Sequence, residues 1–247
     1  MRALEPEVFD TVFAVIEPLL PVHAETHPLG CHRPRVPDRD CFEVMLVHLV
    51  TGSSWEDCER LCGNKVSDTT VRARRDEWEE AGVFDAVAQE AIAAYDKIIG
   101  LDLSEVAVDG SLQKSPAGGE GTGKNSTDRA KLGWKWSILT DAKGIPIGWT
   151  IDGANRKRLA DLGIHDAVIA KKRKRGSPAP AKKLPMGLRW PVERTNSWLS
   201  NFGALRRNTD RKTKHRLAQF ALAVTFLLAA KLIDWRNRWS PGCVPIR

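Results

Sequence analysis

The sequence predicts a mixed α/β (α+β) protein, with an N-terminal helical part followed by a part built on short strands and closing helices. Three observations predict it. Apolar residues recur at helical spacing through residue 99, and the period then falls to about 2 over residues 106–110 and 134–151. A helix, short Gly-containing turn, helix pattern lies within the first part, at residues 54–80. The charge also reverses: residues 1–105 hold 10 Lys+Arg against 21 Asp+Glu, whereas 106–247 hold 28 against 10, giving the chain its net charge of +7.

The 247 residues, 42% hydrophobic and 28% charged, suffice for one large or two modest domains and exclude wholesale disorder. The longest nearly uncharged apolar run, 217–230, is shorter than the roughly 20 residues that cross a bilayer, so it is expected to be a buried core helix and no membrane partner is expected. The opening MRALEPEVFD places acids where a secretory signal has a basic and then an apolar stretch, which predicts a cytoplasmic protein. Five cysteines are an odd number, and Cys58 and Cys62 have no second pair or suitably spaced His to complete a zinc site; inert thiols are expected.

Element by element, residues 5–20 predict a first helix stopped by Pro21, and Asp38 is expected to cap a second that ends at 51–53. Ser67 or Asp68 would cap the second helix of the helix-turn-helix, whose first turns would offer Thr69, Thr70, Arg72, Arg74 and Arg75 to DNA. A further helix runs to 99 and ends at Gly100. Residues 106–110 predict a short strand ending in the Asp109 carboxylate, followed by a mobile Gly-rich loop at 115–128. The turn Asp141-Ala142-Lys143-Gly144 predicts an antiparallel hairpin. Residues 156–162 allow a short helix and 164–170 a strand; 192–202 and 214–235 read as closing helices.

Residues 156–216 hold 18 basic and 4 acidic residues, a field suited to a polyanion such as double-stranded DNA. Arg206, Arg207, Arg211, Lys212, Lys214 and Arg216 are expected to form a DNA-contacting surface. Trp190 and Trp198 are candidates for stacking on a base, with core packing the alternative for at least one of them.

Val-Asp-Gly at 108–110, the Gly-rich loop, a hairpin closing on Asp152-Gly153-Ala154-Asn155-Arg156, and a late helix opening with Arg189-Trp190-Pro191-Val192-Glu193-Arg194-Thr195 together resemble the bacterial insertion-sequence transposases with a DDE active site. That resemblance covers nearly the whole chain. It implies a helical DNA-binding domain over 1–100 and a ribonuclease H-like catalytic domain over 101–247. In such a domain three carboxylates hold two divalent ions, Mg²⁺ or Mn²⁺, for DNA strand cleavage and transfer. Asp109 is by resemblance the first catalytic and metal-binding carboxylate and Glu193 the last; Arg189 and Arg194 flank Glu193, where they could orient phosphates. Double-stranded DNA, at element ends and target, and a homo-oligomer are the implied partners.

The second aspartate is missing from the pattern. Residues 152–156 run directly into 157–164, which resemble the segment that follows the second aspartate's strand in relatives, so the ribonuclease H-like domain is expected to be incomplete, truncated internally near 156–157. Asp166 would lie at the wrong end of its strand, and Asp152 and Asp161 are weak substitutes. Two functions follow as expectations: an insertion-sequence transposase impaired in catalysis, or a catalytically dead DNA-binding protein that interferes with a full-length relative. A gene remnant that does not fold is a third reading.

Overall fold

The computed structural model describes residues 2–23, 34–124, 129–153 and 190–239. Five helices form the first part: α1 (Pro6–Ile16), α2 (Asp38–Thr51), α3 (Trp55–Leu61), α4 (Asp68–Glu80) and α5 (Val83–Ile98). α1 ends before the expected residue 20 because Pro18 lacks the N–H that an α-helix needs, and a 3-10 turn over Glu17–Leu19 replaces its last turn. Pro37, not Asp38, occupies the N-cap of α2. Asp38 is its first residue, and its carboxylate pairs instead with Arg74. The cap of α4 is Ser67, one of the two residues expected, whose Oγ accepts from the Thr70 amide at 3.3 Å; α3 is capped in the same way by Ser54, whose Oγ accepts from the Asp57 amide at 3.1 Å.

The strands β1 (Ala107–Lys114), β2 (Gly123–Lys124), β3 (Leu132–Thr140) and β4 (Pro146–Gly153) form an antiparallel sheet in which β1 and β4 each pair with β3. In β1–β3, Asp109 stands opposite Ile138, Ser111 opposite Trp136 and Gln113 opposite Trp134. Directly opposed residues share a face. The Asp109 face therefore carries the fully buried Trp134, Trp136 and Ile138. Three helices follow in the described chain: α6 (Trp190–Ser200), the short α7 (Gly203–Arg206) and α8 (Thr213–Trp239). α6 packs on β1 and β3. α8 sets Phe220 against Trp136 and Trp149 of the sheet, with ring centroids 5.4 and 5.6 Å away.

α8 also closes the helical part, packing along α5 and α1. Phe42 of α2 meets Phe9 and Phe13 of α1, Trp78 of α4 and Phe226 of α8 at 5.4–6.3 Å between centroids, so one aromatic cluster joins both ends of the chain. The 27-residue α8 is long and apolar enough to cross a membrane by length and composition, but 67% of its most apolar window is buried inside the protein. Cys41, Cys58 and Cys62 are free and buried. Burial pushes the Cys41 and Cys58 thiols up to about 11, away from reactive thiolate.

One backbone contact fixes α7 against α2. Gly52, in the left-handed region at φ 69°, ends α2, and a Cβ there would lie 2.6 Å from the Gly203 carbonyl carbon; a Cβ on Gly203 would in turn strike the Thr51 carbonyl. Gly203→Ala is expected to force the two elements apart and cost about 1–3 kcal/mol, read as a lower urea midpoint. An unchanged midpoint would show that α7 can move off α2 freely.

Candidate active site and nucleic-acid interface

The strand bearing Asp109 extends farther than its sequence suggests. Gly110 does not end it: pairing continues through Lys114, so Asp109 is the third residue of eight, near the start of β1, and not at its C-terminal end. Alternation resumes after the glycine through Ser111, Leu112 and Gln113, and β3 supplies a partner to each, which is why the ladder runs on.

Glu193 lies in the first turn of α6 and is exposed, and Asn196 follows one turn later. Asn196 Nδ2 donates to Asp109 Oδ2 at 3.4 Å, while its Oδ1 accepts from the buried Trp136 Nε1 at 2.7 Å. The indole N–H can only donate, so it fixes the amide with its NH₂ toward Asp109. Gln113 Nε2 donates to Ser200 Oγ at 3.5 Å, a second link between β1 and the same flank of α6. The fold thus brings the helix of Glu193 alongside the strand of Asp109, with Asn196 between them as the link that sequence reasoning missed. Its signal is its place three residues after Glu193, on the same helix face.

Hard cations take oxygen ligands, and among the described residues Asn196 presents a nitrogen donor to Asp109. Among the described residues no group of three or more His, Cys, Asp or Glu is placed to hold a metal ion. Asp141 is a further buried acid, but it is spent on the hairpin: its carboxylate accepts from the amides of Asp102, Lys143 and Ile145 at 2.7–3.0 Å. Asp152 lies on β4 in register with Lys135. Asp161, Asp166 and Arg189 lie outside the described residues, as do the short helix and strand expected over 156–170.

The other flank of α6 is cationic and aromatic. The Arg194 guanidinium lies 4.5 Å from the Trp190 centroid and 4.6 Å from that of Trp198, and Arg194 Nη2 donates to the Lys143 carbonyl. Lys231 Nζ of α8 lies 3.6 Å from the Trp198 centroid. Burial, aided by the Arg194 charge, pulls the Lys231 ammonium down to about 8. Arg194 is thereby held between rings against the hairpin turn. Trp198 is half-buried in this stack, and Trp190 is 51% exposed.

The helix-turn-helix pair is present as α3 and α4, but its arginines divide. Thr69 and Arg72 are exposed, with Arg72 paired to Asp68 at 2.5 Å, and Thr70 is half-exposed. Arg74 and Arg75 are turned inward, 4% and 7% exposed. Arg74 pairs with Asp38 and with Glu77, and Arg75 with Asp76 at 2.9 Å and Asp210 at 3.2 Å. Ion pairs compensate both guanidiniums, which therefore anchor α4 instead of facing DNA.

The expected basic surface divides in the same way. Arg206, Arg207, Arg211 and Lys212 are exposed. Lys214 is engaged by Glu79 at 2.6 Å and Glu80 at 3.6 Å. Arg216 is fully buried and binds the Gly-rich loop: Nη2 donates to Ser115 Oγ at 3.2 Å and the Gly118 carbonyl at 2.8 Å, and Nη1 to the Glu120 carbonyl. The Glu120 amide donates to the Arg211 carbonyl at 2.7 Å, and at Gly119, with φ 105°, a side chain would collide with the Arg211 backbone. The described part of the loop expected to be mobile is thus tied down on segment 208–216.

Comparison with known proteins supplies the lineage. Residues 8–88 match a family described as "Putative transposase of IS4/5 family". A Burkholderia cepacia protein described as "Putative transposase for insertion sequence element IS402" is 31% identical over 133 residues, covering 37% of this chain and 60% of that protein. A second from the same organism, "Insertion element IS402 uncharacterized 16.2 kDa protein", is 32% identical over 122 residues, covering 49% of this chain and 81% of the relative. No solved structure matches. With four fifths of one insertion-element protein and three fifths of another matched, the chain belongs to the IS4/5 insertion-sequence transposase family.

Proposed function

We propose that this chain binds the DNA of an insertion element as a homo-oligomeric transposase whose metal-dependent strand-cleaving chemistry is impaired, acting in the cytoplasm on double-stranded ends. The observation that carries the reading is the meeting of β1 and α6. The strand of Asp109 and the helix of Glu193 are joined through Asn196, yet the described residues around them supply no third acid. A DDE centre rests on three carboxylates and on Mg²⁺ or Mn²⁺, and this reading assigns two of the carboxylates, Asp109 and Glu193. Supporting the same reading, the match to the IS402 transposase runs over 133 aligned positions but takes up only 37% of the 247 residues, fewer residues than positions. That pattern is expected where the relative has a segment this chain lacks.

DNA binding in this reading is electrostatic first. Arg206, Arg207, Arg211 and Lys212 meet the phosphate backbone and release its counterions, while Thr69, Thr70 and Arg72 of α4 approach base edges. The test pairs binding with cleavage on supercoiled plasmid carrying the gene's own flanking DNA. The chain is expected to shift that DNA equally in chelator and in Mn²⁺, with affinity falling steeply as salt rises, and to leave the plasmid unnicked as its Glu193→Gln variant does. Nicking in Mn²⁺ by the unaltered chain alone would replace this reading with an active transposase. Inhibition of a full-length relative's cleavage by the intact chain would identify the interfering role.

A further inference from the structure

The four exposed cations sit on a segment whose backbone is held on every side. The Arg207 backbone bridges to Lys114 of β1, and the Asn208 amide donates to the Lys114 carbonyl at 3.0 Å. The Arg211 carbonyl accepts from Glu120 of the Gly-rich loop. Between these contacts lies Asp210, its side chain only 11% exposed. Oδ1 meets Arg75 Nη1 of α4 at 3.2 Å, and Oδ2 accepts from Gln219 Nε2 of α8 at 2.5 Å. Its amide donates to Asn208 Oδ1 at 2.9 Å, and its carbonyl accepts from Arg216 Nη2 at 2.5 Å. Gln219 in turn lies 3.3 Å from His48 Nε2 of α2 and accepts from Asn208 Nδ2 at 2.7 Å.

An irregular segment has no ladder to satisfy its polar groups, and here a buried network does that work. The network reaches α4 through the Asp210 carboxylate; beside it, His215 Nε2 lies 3.0 Å from Asp76 Oδ1 and Lys214 Nζ 2.6 Å from Glu79 Oε2. Arg75, the partner of Asp210, is one turn beyond the exposed Arg72 of α4. Long basic side chains lose conformational freedom when they grip phosphate, and a fixed backbone lowers that cost while setting the spacing between charges.

We propose that Asp210 is a positioning residue that locks the strip Arg206, Arg207, Arg211 and Lys212 to α4, so that strip and helix meet one DNA duplex as a single rigid surface. This rests on the DNA-binding reading above. The strip suits phosphates because its cations are exposed, whereas Lys214, beside it, is consumed by Glu79 and Glu80. Asp210 touches no DNA; it acts through the backbone and Arg75.

The test is a double-mutant cycle on the full chain, using a duplex from the gene's flanking DNA. The variants are Asp210→Asn, the strip variant Arg206→Ala/Arg207→Ala/Arg211→Ala/Lys212→Ala, and the two combined. Asp210→Asn keeps one carbonyl oxygen and so preserves most of the fold. It is expected to reduce the slope of log affinity against log salt by at least about 0.9, one phosphate contact, though it removes no cation. The strip variant should then cost less in the Asp210→Asn background than in the unaltered chain. Amide hydrogen exchange, which needs no DNA, should quicken over 207–216 and stay unchanged in β3. Additive effects, or an unchanged slope, would overturn the positioning role while leaving DNA binding intact. Absence of salt-dependent binding by the unaltered chain would overturn the DNA-binding reading and this proposal together, and exchange would still show whether Asp210 holds the segment.

Discussion

Arg216→Met is expected to destabilise the protein by about 3 kcal/mol or more, among the largest effects of any single substitution outside the apolar core. The guanidinium is fully buried, and its donors serve the carbonyls of Gly118, Glu120 and Asp210, Ser115 Oγ at 3.2 Å and Asn208 Oδ1 at 3.4 Å. Its cation also lies 5.9 Å from the Trp134 centroid. Methionine fills much of the same volume but donates nothing, so several buried acceptors lose their partner at once. Lysine keeps the charge, but three donors on one nitrogen cannot match the planar fork, and Arg216→Lys is expected to recover only part of the loss. Urea unfolding checks both variants. A loss under about 1 kcal/mol for Arg216→Met would mean that water replaces these bonds and that the Gly-rich loop does not depend on them.

That residue also shows where the sequence stops being informative. Arg74, Arg75 and Arg216 look like their exposed neighbours when read in order, because a buried cation is identified only by the acid or carbonyl that folding brings to it. Their partners, Asp38, Asp210 and Glu120, are 36, 135 and 96 residues away. The local features were legible for the opposite reason. Ser67 caps α4 through an amide three residues on, and the hairpin turn at Asp141 is closed by its own neighbouring amides. Asp109 is legible as a strand carboxylate by its setting between apolar residues and glycine, and as a catalytic candidate only through the resemblance. Its depth along β1 is not legible, because a strand's end is decided by how far its neighbour can pair. Asn196 needed the fold as well, since its importance arises from Trp136 on one side and Asp109 on the other.

Residues 1–100 produced alone are expected not to fold cooperatively, although that stretch reads in sequence as a complete helical domain. The missing piece is α8. Phe226 stacks 5.9 Å from Phe42, and α8 packs along α5 and α1, so its removal would uncover the Phe42 ring and the parts of α1 and α5 that it covers. Losing a single large aromatic side chain from such a core costs about 3–5 kcal/mol, and a whole domain is stable by only about 5–15. Losing an entire packed helix therefore exceeds what the fragment can absorb. Circular dichroism during heating should show a shallow, non-cooperative loss of helix for 1–100 and a cooperative transition for the full chain. Adding a peptide spanning 213–239 should restore some cooperativity, because it returns the missing apolar face. A sharp transition in the fragment alone would show that the first five helices carry a sufficient core, with α8 docking on a surface already formed.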